Sequence, residues 1–146
     1  MILSNFKIHH LGILVYDIEQ AIDFYRSTCN YKELPRERLP HFNVEVAFLI
    51  PDLNDSSAPT AIELLQPIEQ KGSIWTFLEK KGEGLHHICH EVADIAQEHA
   101  RLTSAGLHFI DKEPRAGAHG STVAFIHPKS CHGVLTELLQ PANQGS

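Results

Sequence analysis

The sequence is short of several things that would fix its class at once. It holds only three cysteines, Cys29, Cys89 and Cys131, in 146 residues. Their number is odd, their spacing wide and no Cys-x-x-Cys pair occurs, which argues against a disulfide framework or a structural zinc knuckle and leaves reduced thiols. No run of Lys or Arg exceeds two residues and the net charge is −6, so the electrostatic footprint of a nucleic-acid binder is missing. The small basic spots, Arg36 with Arg38 and Lys80 with Lys81, read first as solvated loop positions, with contact to an anionic small molecule as the alternative. No window approaches the ~18 apolar residues a membrane span needs, and "MILSNFKIHHLG" lacks the apolar segment and cleavage site of a secretory leader. A cytoplasmic protein is expected, with neither nucleic acid nor membrane as partner.

What is present is an ordinary globular balance, 42% apolar and 21% charged residues, enough for one domain with a core. Histidine is the outlier at eleven copies; most of them, His99 and His108 included, are expected on exposed faces.

The chain also repeats itself. "ELLQP" occurs at Glu63–Pro67 and again 74 positions later at Glu137–Pro141, and "HHLGILVYDIEQ" from His9 is answered 77 positions later by "HHICHEVADIAQ" from His86. Such a repeat sets the fold before any local reading does. Each copy opens with an apolar, β-branched run, 7–16 and 85–93, that reads as a strand. Asp17 and Asp94 follow as N-caps, with Gln20 and Gln97 completing a capping-box pattern. Ile18, Ala21, Ile22 and Tyr25 then recur at helical spacing, and Ile95, His99 and Leu102 repeat the theme up to Gly106. Extended runs come next: "YKEL", 44–50 and 60–66 in the first copy, "LHFI", 121–126 and 133–140 in the second.

These features predict an α+β protein built of two βαβββ modules. Module one spans 5–67, a linker spans 68–84 with a short helix around Ile74 to Leu78, and module two spans 85–141, the whole forming a single domain over 1–146. Side by side, the modules would make a curved mixed sheet with helices outside and a concave cleft within.

Strand side chains alternate between faces. With Leu11, Ile13 and Val15 turned to the helix, His10 faces the concave side, and the repeat places His87 likewise. Glu63 and Glu137 sit inside apolar strands, where a carboxylate is costly unless something pairs with it. Two imidazoles and two carboxylates at equivalent positions, His10, Glu63, His87 and Glu137, would satisfy one another around a divalent cation, with Co, Ni, Mn, Fe and Zn all suited to the set and coordination positions left open for a substrate.

On these residues the sequence resembles the vicinal oxygen chelate superfamily, the group of glyoxalases, bleomycin resistance proteins, dioxygenases and methylmalonyl-CoA epimerases, along almost its whole length. The strings "GLHHICHEVADI", "KEPRAGAHGSTVAFIHPK" and "GVLTELLQ" are most like the epimerase branch. The resemblance implies paired βαβββ modules, a homodimer, and metal ligands at His10, Glu63, His87 and Glu137. It implies an isomerase that moves the α-proton of an acyl-CoA thioester such as methylmalonyl-CoA through an enolate, with Glu137 as one catalytic group. Where that branch carries a second catalytic Glu in "PE_GV", this chain has "PHFNV", so either His41 is the second group, histidine being a side chain that exchanges protons near neutral pH, or the protein acts on a related but different substrate. The alternatives are a glyoxalase I-type lactoylglutathione lyase, which uses the same ligands, and a resistance-type binding protein, which needs none of them.

Overall fold

The structure is a computed structural model that describes residues 5–53 and 58–143. Among these residues the order of elements is β1 (Lys7–Leu14), α1 (Ile18–Cys29), β2 (Tyr31–Glu33), β3 (Glu37–Leu39), β4 (Val44–Pro51), β5 (Ala61–Pro67), α2 (Gly72–Lys81), β6 (Gly84–Glu91), α3 (Ile95–Ser104), β7 (Arg115–Ala116), β8 (Thr122–Ile126) and β9 (Thr136–Gln140). Two compact units emerge. One is 10–86; the other joins the described residues up to 9 to those from 87 onward.

In the unit 10–86 the strands run in the order β2-β4-β5-β1, with β3 also on β4. β1 and β5 are parallel, with Gly12 opposite Glu63, and β4 lies antiparallel to β5, with Phe48 opposite Glu63. A helical crossover is what a parallel β1–β5 pair requires, and α1 lies within that connection. The helix starts where Asp17, in extended conformation at φ −134°, accepts the N–H groups of Glu19 and Gln20, a bond set worth about 1 kcal/mol. It ends at Asn30, whose left-handed φ of 57° turns the chain out. Ile18 and Ile22 on its inner face pack with Val15, Ala47, Leu49 and Leu64, and Ile13, Ala21, Tyr25, Tyr31 and Ile62 close around them. Removing such a side chain from water is worth about 1.5–3 kcal/mol, so this apolar stripe holds the helix to the sheet.

The second unit repeats the plan in the order β6-β9-β8-β7. β6 runs parallel to β9 with Cys89 opposite Glu137, and β8 is antiparallel to β9 with Phe125 opposite Glu137. Asp94 caps α3 by accepting the Gln97 N–H, and Gly106, at φ 97°, follows the helix end. The core here is Val92, Ile95, Ala124, Ile126 and Leu138, residues that stand 77 or 74 positions after Val15, Ile18, Ala47, Leu49 and Leu64. Phe6 packs against this cluster and Lys7 pairs with Glu91 at 3.5 Å, so these two residues find partners in the second unit.

Several sequence expectations change. The linker helix is longer than 74–78, running from Gly72 to Lys81. The first copy's "YKEL" run yields β2, and a further short strand, β3, follows it. "LHFI" forms no strand, only a single bridge from Phe109 to Ile126. His99 is half-buried rather than exposed, because its Nε2 meets the Asp111 carbonyl at 3.0 Å and its ring lies 4.1 Å from that of Phe109. His108 is exposed as expected. No disulfide joins the three cysteines, and Cys89 alone is fully buried. Of the basic spots read as loop positions, Arg38 lies in β3 and Lys80 and Lys81 end α2; Arg36 is bound by Glu19 and Glu33, and Lys81 lies over the Phe77 ring.

Candidate functional site

Strand alternation divides the β1–β5–β4 layer into two faces. Ile13, Ile62, Leu64, Ala47 and Leu49 turn toward α1; the register then places His10, Gly12, Glu63 and Phe48 on the other face. There His10 Nε2 lies 3.3 Å from Glu63 Oε1. His10 is 1% exposed and Glu63 6%, so both groups have left water, and a carboxylate in that state needs a cationic or donating partner. The Phe48 ring stands edge-on to His10, with centroids 5.1 Å apart and planes at 81°.

The second unit builds the same constellation from the second copy of the sequence. His87 Nε2 lies 3.1 Å from Glu137 Oε1, both residues are buried, and Phe125 stands edge-on to His87 at 5.5 Å and 87°. Cys89 takes the place that Gly12 has in the first unit, beside the carboxylate-bearing residue. The expected ligands are thus brought together as His10 with Glu63 and His87 with Glu137. In each case a neutral-capable imidazole nitrogen and a carboxylate oxygen lie side by side, a possible pair of metal ligands, and the nitrogen–oxygen donor set fits a borderline divalent ion.

His41 sits elsewhere in the first unit. It lies on an exposed 3-10 turn, Pro40–Phe42, between β3 and β4, with its ring 4.5 Å from that of Phe42. The turn is anchored by Asn43, which adopts a left-handed φ of 57°. The Asn43 amide donates to the carbonyls of Glu69 and Lys71 at 3.0 and 2.9 Å and accepts the Glu69 N–H at 2.8 Å. This exposed turn is tied to the segment that leaves β5.

Several contributors were not read from the sequence. Phe48 and Phe125 flank the two histidines, and the signal for them was the repeated "VAF" at 46–48 and 123–125. Gln66 and Gln140, inside the doubled "ELLQP", accept the first helical N–H of α1 and of α3 at 2.8 and 2.9 Å. Each ties its carboxylate-bearing strand to a helix start.

A family model described as Glyoxalase/Bleomycin resistance protein/Dioxygenase superfamily matches residues 9–125. The chain belongs to this superfamily. Within the superfamily it is 39% identical over 137 residues to the ethylmalonyl-CoA/methylmalonyl-CoA epimerase of Cereibacter sphaeroides, covering 92% of this chain and 97% of that protein. A Streptomyces coelicolor methylmalonyl-CoA epimerase variant, solved in complex with 2-nitronate-propionyl-CoA, superposes with a TM-score of 0.89 at 37% identity, over 98% of this chain and 99% of that one. A methylmalonyl-CoA epimerase in complex with methylmalonyl-CoA and NH4+ gives 0.88 at 37% identity, with the same coverage. Similarity to the probable lactoylglutathione lyase of Vibrio cholerae is lower, 28% over 140 residues, or 94% of this chain and 93% of that protein. The α+β class and the superfamily membership expected from the motifs are those found.

Proposed function

We propose that this protein is a metal-dependent epimerase that moves the α-proton of an acyl-CoA thioester, with methylmalonyl-CoA as the leading substrate. The observation that carries this reading is the doubled pair: buried His10 with Glu63 at 3.3 Å, and buried His87 with Glu137 at 3.1 Å, each at the same place in its module. The similarity to epimerases over nearly the full chain supports the substrate class. On this reading the four residues act as one site for Co, Ni, Mn, Fe or Zn. A divalent ion bound there supplies Lewis acidity where charge develops on the substrate's carbonyl oxygen.

The rest is the work of side chains. Glu63, His10 and His87 hold. Glu137 is the carboxylate that takes or returns the α-proton on one face of the carbon, and His41 serves the opposite face, so that removal and return from different sides invert the centre. The exposed turn that bears His41 is open to solvent exchange, which a group that must shed and regain a proton requires. The working unit is a single domain over 1–146, with module one 5–67, linker 68–84 and module two 85–141, acting as a cytoplasmic homodimer.

The test is incubation of the Co²⁺-loaded protein with methylmalonyl-CoA in deuterated water. Deuterium at the α-carbon is expected; a protein that incorporates none into this or related acyl-CoAs is not an epimerase of this kind. The lower similarity to a lactoylglutathione lyase makes a glutathione hemithioacetal the comparison substrate, and turnover of that compound alone would favour the lyase reading. A resistance-type binder would show neither reaction, and it has no use for four buried ligands.

A further inference from the structure

The geometry points to Asp111 as a positioning residue for the second histidine–carboxylate pair, acting through the backbone of Phe125. The inference rests on the reading of His87 and Glu137 as metal ligands.

The outer edge of β8 is covered in two places. Arg115 and Ala116 of β7 pair with Val123 and Thr122, and Phe109 bridges to Ile126. Phe125 falls between them. Its carbonyl accepts the Ile110 N–H at 2.8 Å, and its own N–H donates to Asp111 Oδ2 at 2.8 Å. A strand residue whose backbone groups both turn to one edge meets its neighbour on the other edge as a non-hydrogen-bonded pair, the arrangement that brings side chains closest. That neighbour is Glu137. The Phe125 ring meanwhile stands edge-on to His87. One hydrogen bond to a side chain therefore helps set the place of the residue that stands edge-on to His87 and opposite Glu137.

Asp111 is itself held from several sides. It is 9% exposed, its Oδ1 faces Arg115 Nη1 at 3.4 Å, and its carbonyl meets His99 Nε2 at 3.0 Å. The first module reaches the equivalent geometry with a shorter connection. Leu34 N–H donates to the Phe48 carbonyl, and β3 resumes pairing at Glu37, three residues on. In the second module the step from Ile110 to Arg115 takes five. Asp111 lies in the longer connection, where a buried acid is costly unless its bonds are needed.

The experiment titrates Co²⁺ into the full-length protein and follows its visible d–d absorption, which reports ligand geometry without turnover. Asp111→Ala is expected to weaken Co²⁺ binding, by no more than the roughly tenfold at the low end for residues bonded directly to a metal ligand, and to shift the absorption band. Asp111→Asn keeps an acceptor for the Phe125 N–H and is expected to restore both toward wild type. Leu107→Ala, which packs on the core cluster of the second unit, controls for loss of stability and should leave the band in place. A folded Asp111→Ala protein with wild-type band and affinity overturns the inference, as does a control that shifts the band equally. If Asp111→Ala does not fold, Asp111→Glu, which moves the carboxylate by one methylene, is read in its place with the same two outcomes. A wild-type protein that binds no Co²⁺ removes the metal reading and this inference together; a wild-type band indifferent to Asp111 removes this inference alone.

Discussion

Gln66 reaches from the end of β5 to the first turn of α1, where its side-chain oxygen accepts the N–H of Ile18 at 2.8 Å. Gln140 does the same for Ile95 at 2.9 Å. Each glutamine stands three residues after the carboxylate of its strand, so a helix terminus and a carboxylate-bearing strand share one bond. An N–H at a helix start has no intrahelical partner of its own. Gln66→Ala or Gln140→Ala is therefore expected to cost about 1 kcal/mol each. Urea unfolding checks it, with the midpoint lowered and the slope unchanged.

Metal content is expected to depend on the buried pairs. His10→Ala and Glu137→Gln each remove one donor of the proposed set, and the purified variants should carry far less metal than wild type by elemental analysis. Variants that hold metal as wild type does would show that the ligands lie elsewhere. Chelation of the wild-type protein should lower its melting temperature, since a ligand at 100-fold over its dissociation constant stabilises by about 2.7 kcal/mol.

His41→Ala is expected to separate chemistry from metal binding. Loss of a proton-transfer group lowers turnover by about 10²–10⁴-fold, while metal content stays at the wild-type level. Asn43→Ala, which gives up three side-chain bonds to Glu69 and Lys71, should reproduce part of that loss. It acts by freeing the turn rather than by removing the acid or base, so its pH–rate profile should keep the wild-type shape.

Gly117 offers a steric test of the second unit. A Cβ there would meet Ser121 Oγ and Val123 Cγ1, both at 2.7 Å. Val123 is buried in β8 and cannot withdraw freely, so Gly117→Ala should destabilise by about 1–3 kcal/mol, the range for overpacking. A thermal melt of the variant beside wild type decides it.

Burial holds the His90 imidazole below its ordinary value of 6.5. As pH falls through that ordinary value the unfolded chain takes up a proton that the folded one still refuses, so protonation favours unfolding. The corresponding stability is present above the ordinary value and is lost as pH drops toward the lower folded one. His90→Gln removes this dependence. The stability difference between wild type and variant should therefore narrow or reverse toward acid, measured by urea unfolding between about pH 7.5 and about pH 5.5; a difference that stays flat would contradict the assignment.

The parts of the molecule that were legible in the sequence are those written twice. Val15 with Val92, Asp17 with Asp94 and Glu63 with Glu137 announced the modules, the helix starts and the carboxylates because a second copy removed the ambiguity of the first. Several parts that were not legible lie where one copy departs from the other. "LHFI" has the apolar alternation of a strand, and Leu107 and Phe109 do pack on the core. The segment makes only one bridge because a side chain, Asp111, takes the N–H that a strand partner's carbonyl would have met. His99 was misplaced for a related reason: the connection it hydrogen-bonds to has no counterpart of equal length in the first copy. The glutamine bonds were written twice and still went unread, since Gln66 and Ile18 are 48 residues apart and nothing local in either stretch points to the other.

The boundary at residue 9 bears on how the protein comes into being. Residues 10–86 form a compact unit on their own contacts, whereas Phe6 and Lys7 wait for partners that begin with His90 and Glu91. During synthesis the first unit can close while the segment just before it remains without its neighbours until the second is made, and joining them spans some eighty intervening residues, a loop closure of the kind that slows folding. Trp75, the sole tryptophan, belongs to the early unit, so its fluorescence in chains ended before residue 87 should already report a folded surrounding while a protease still cuts near Phe6.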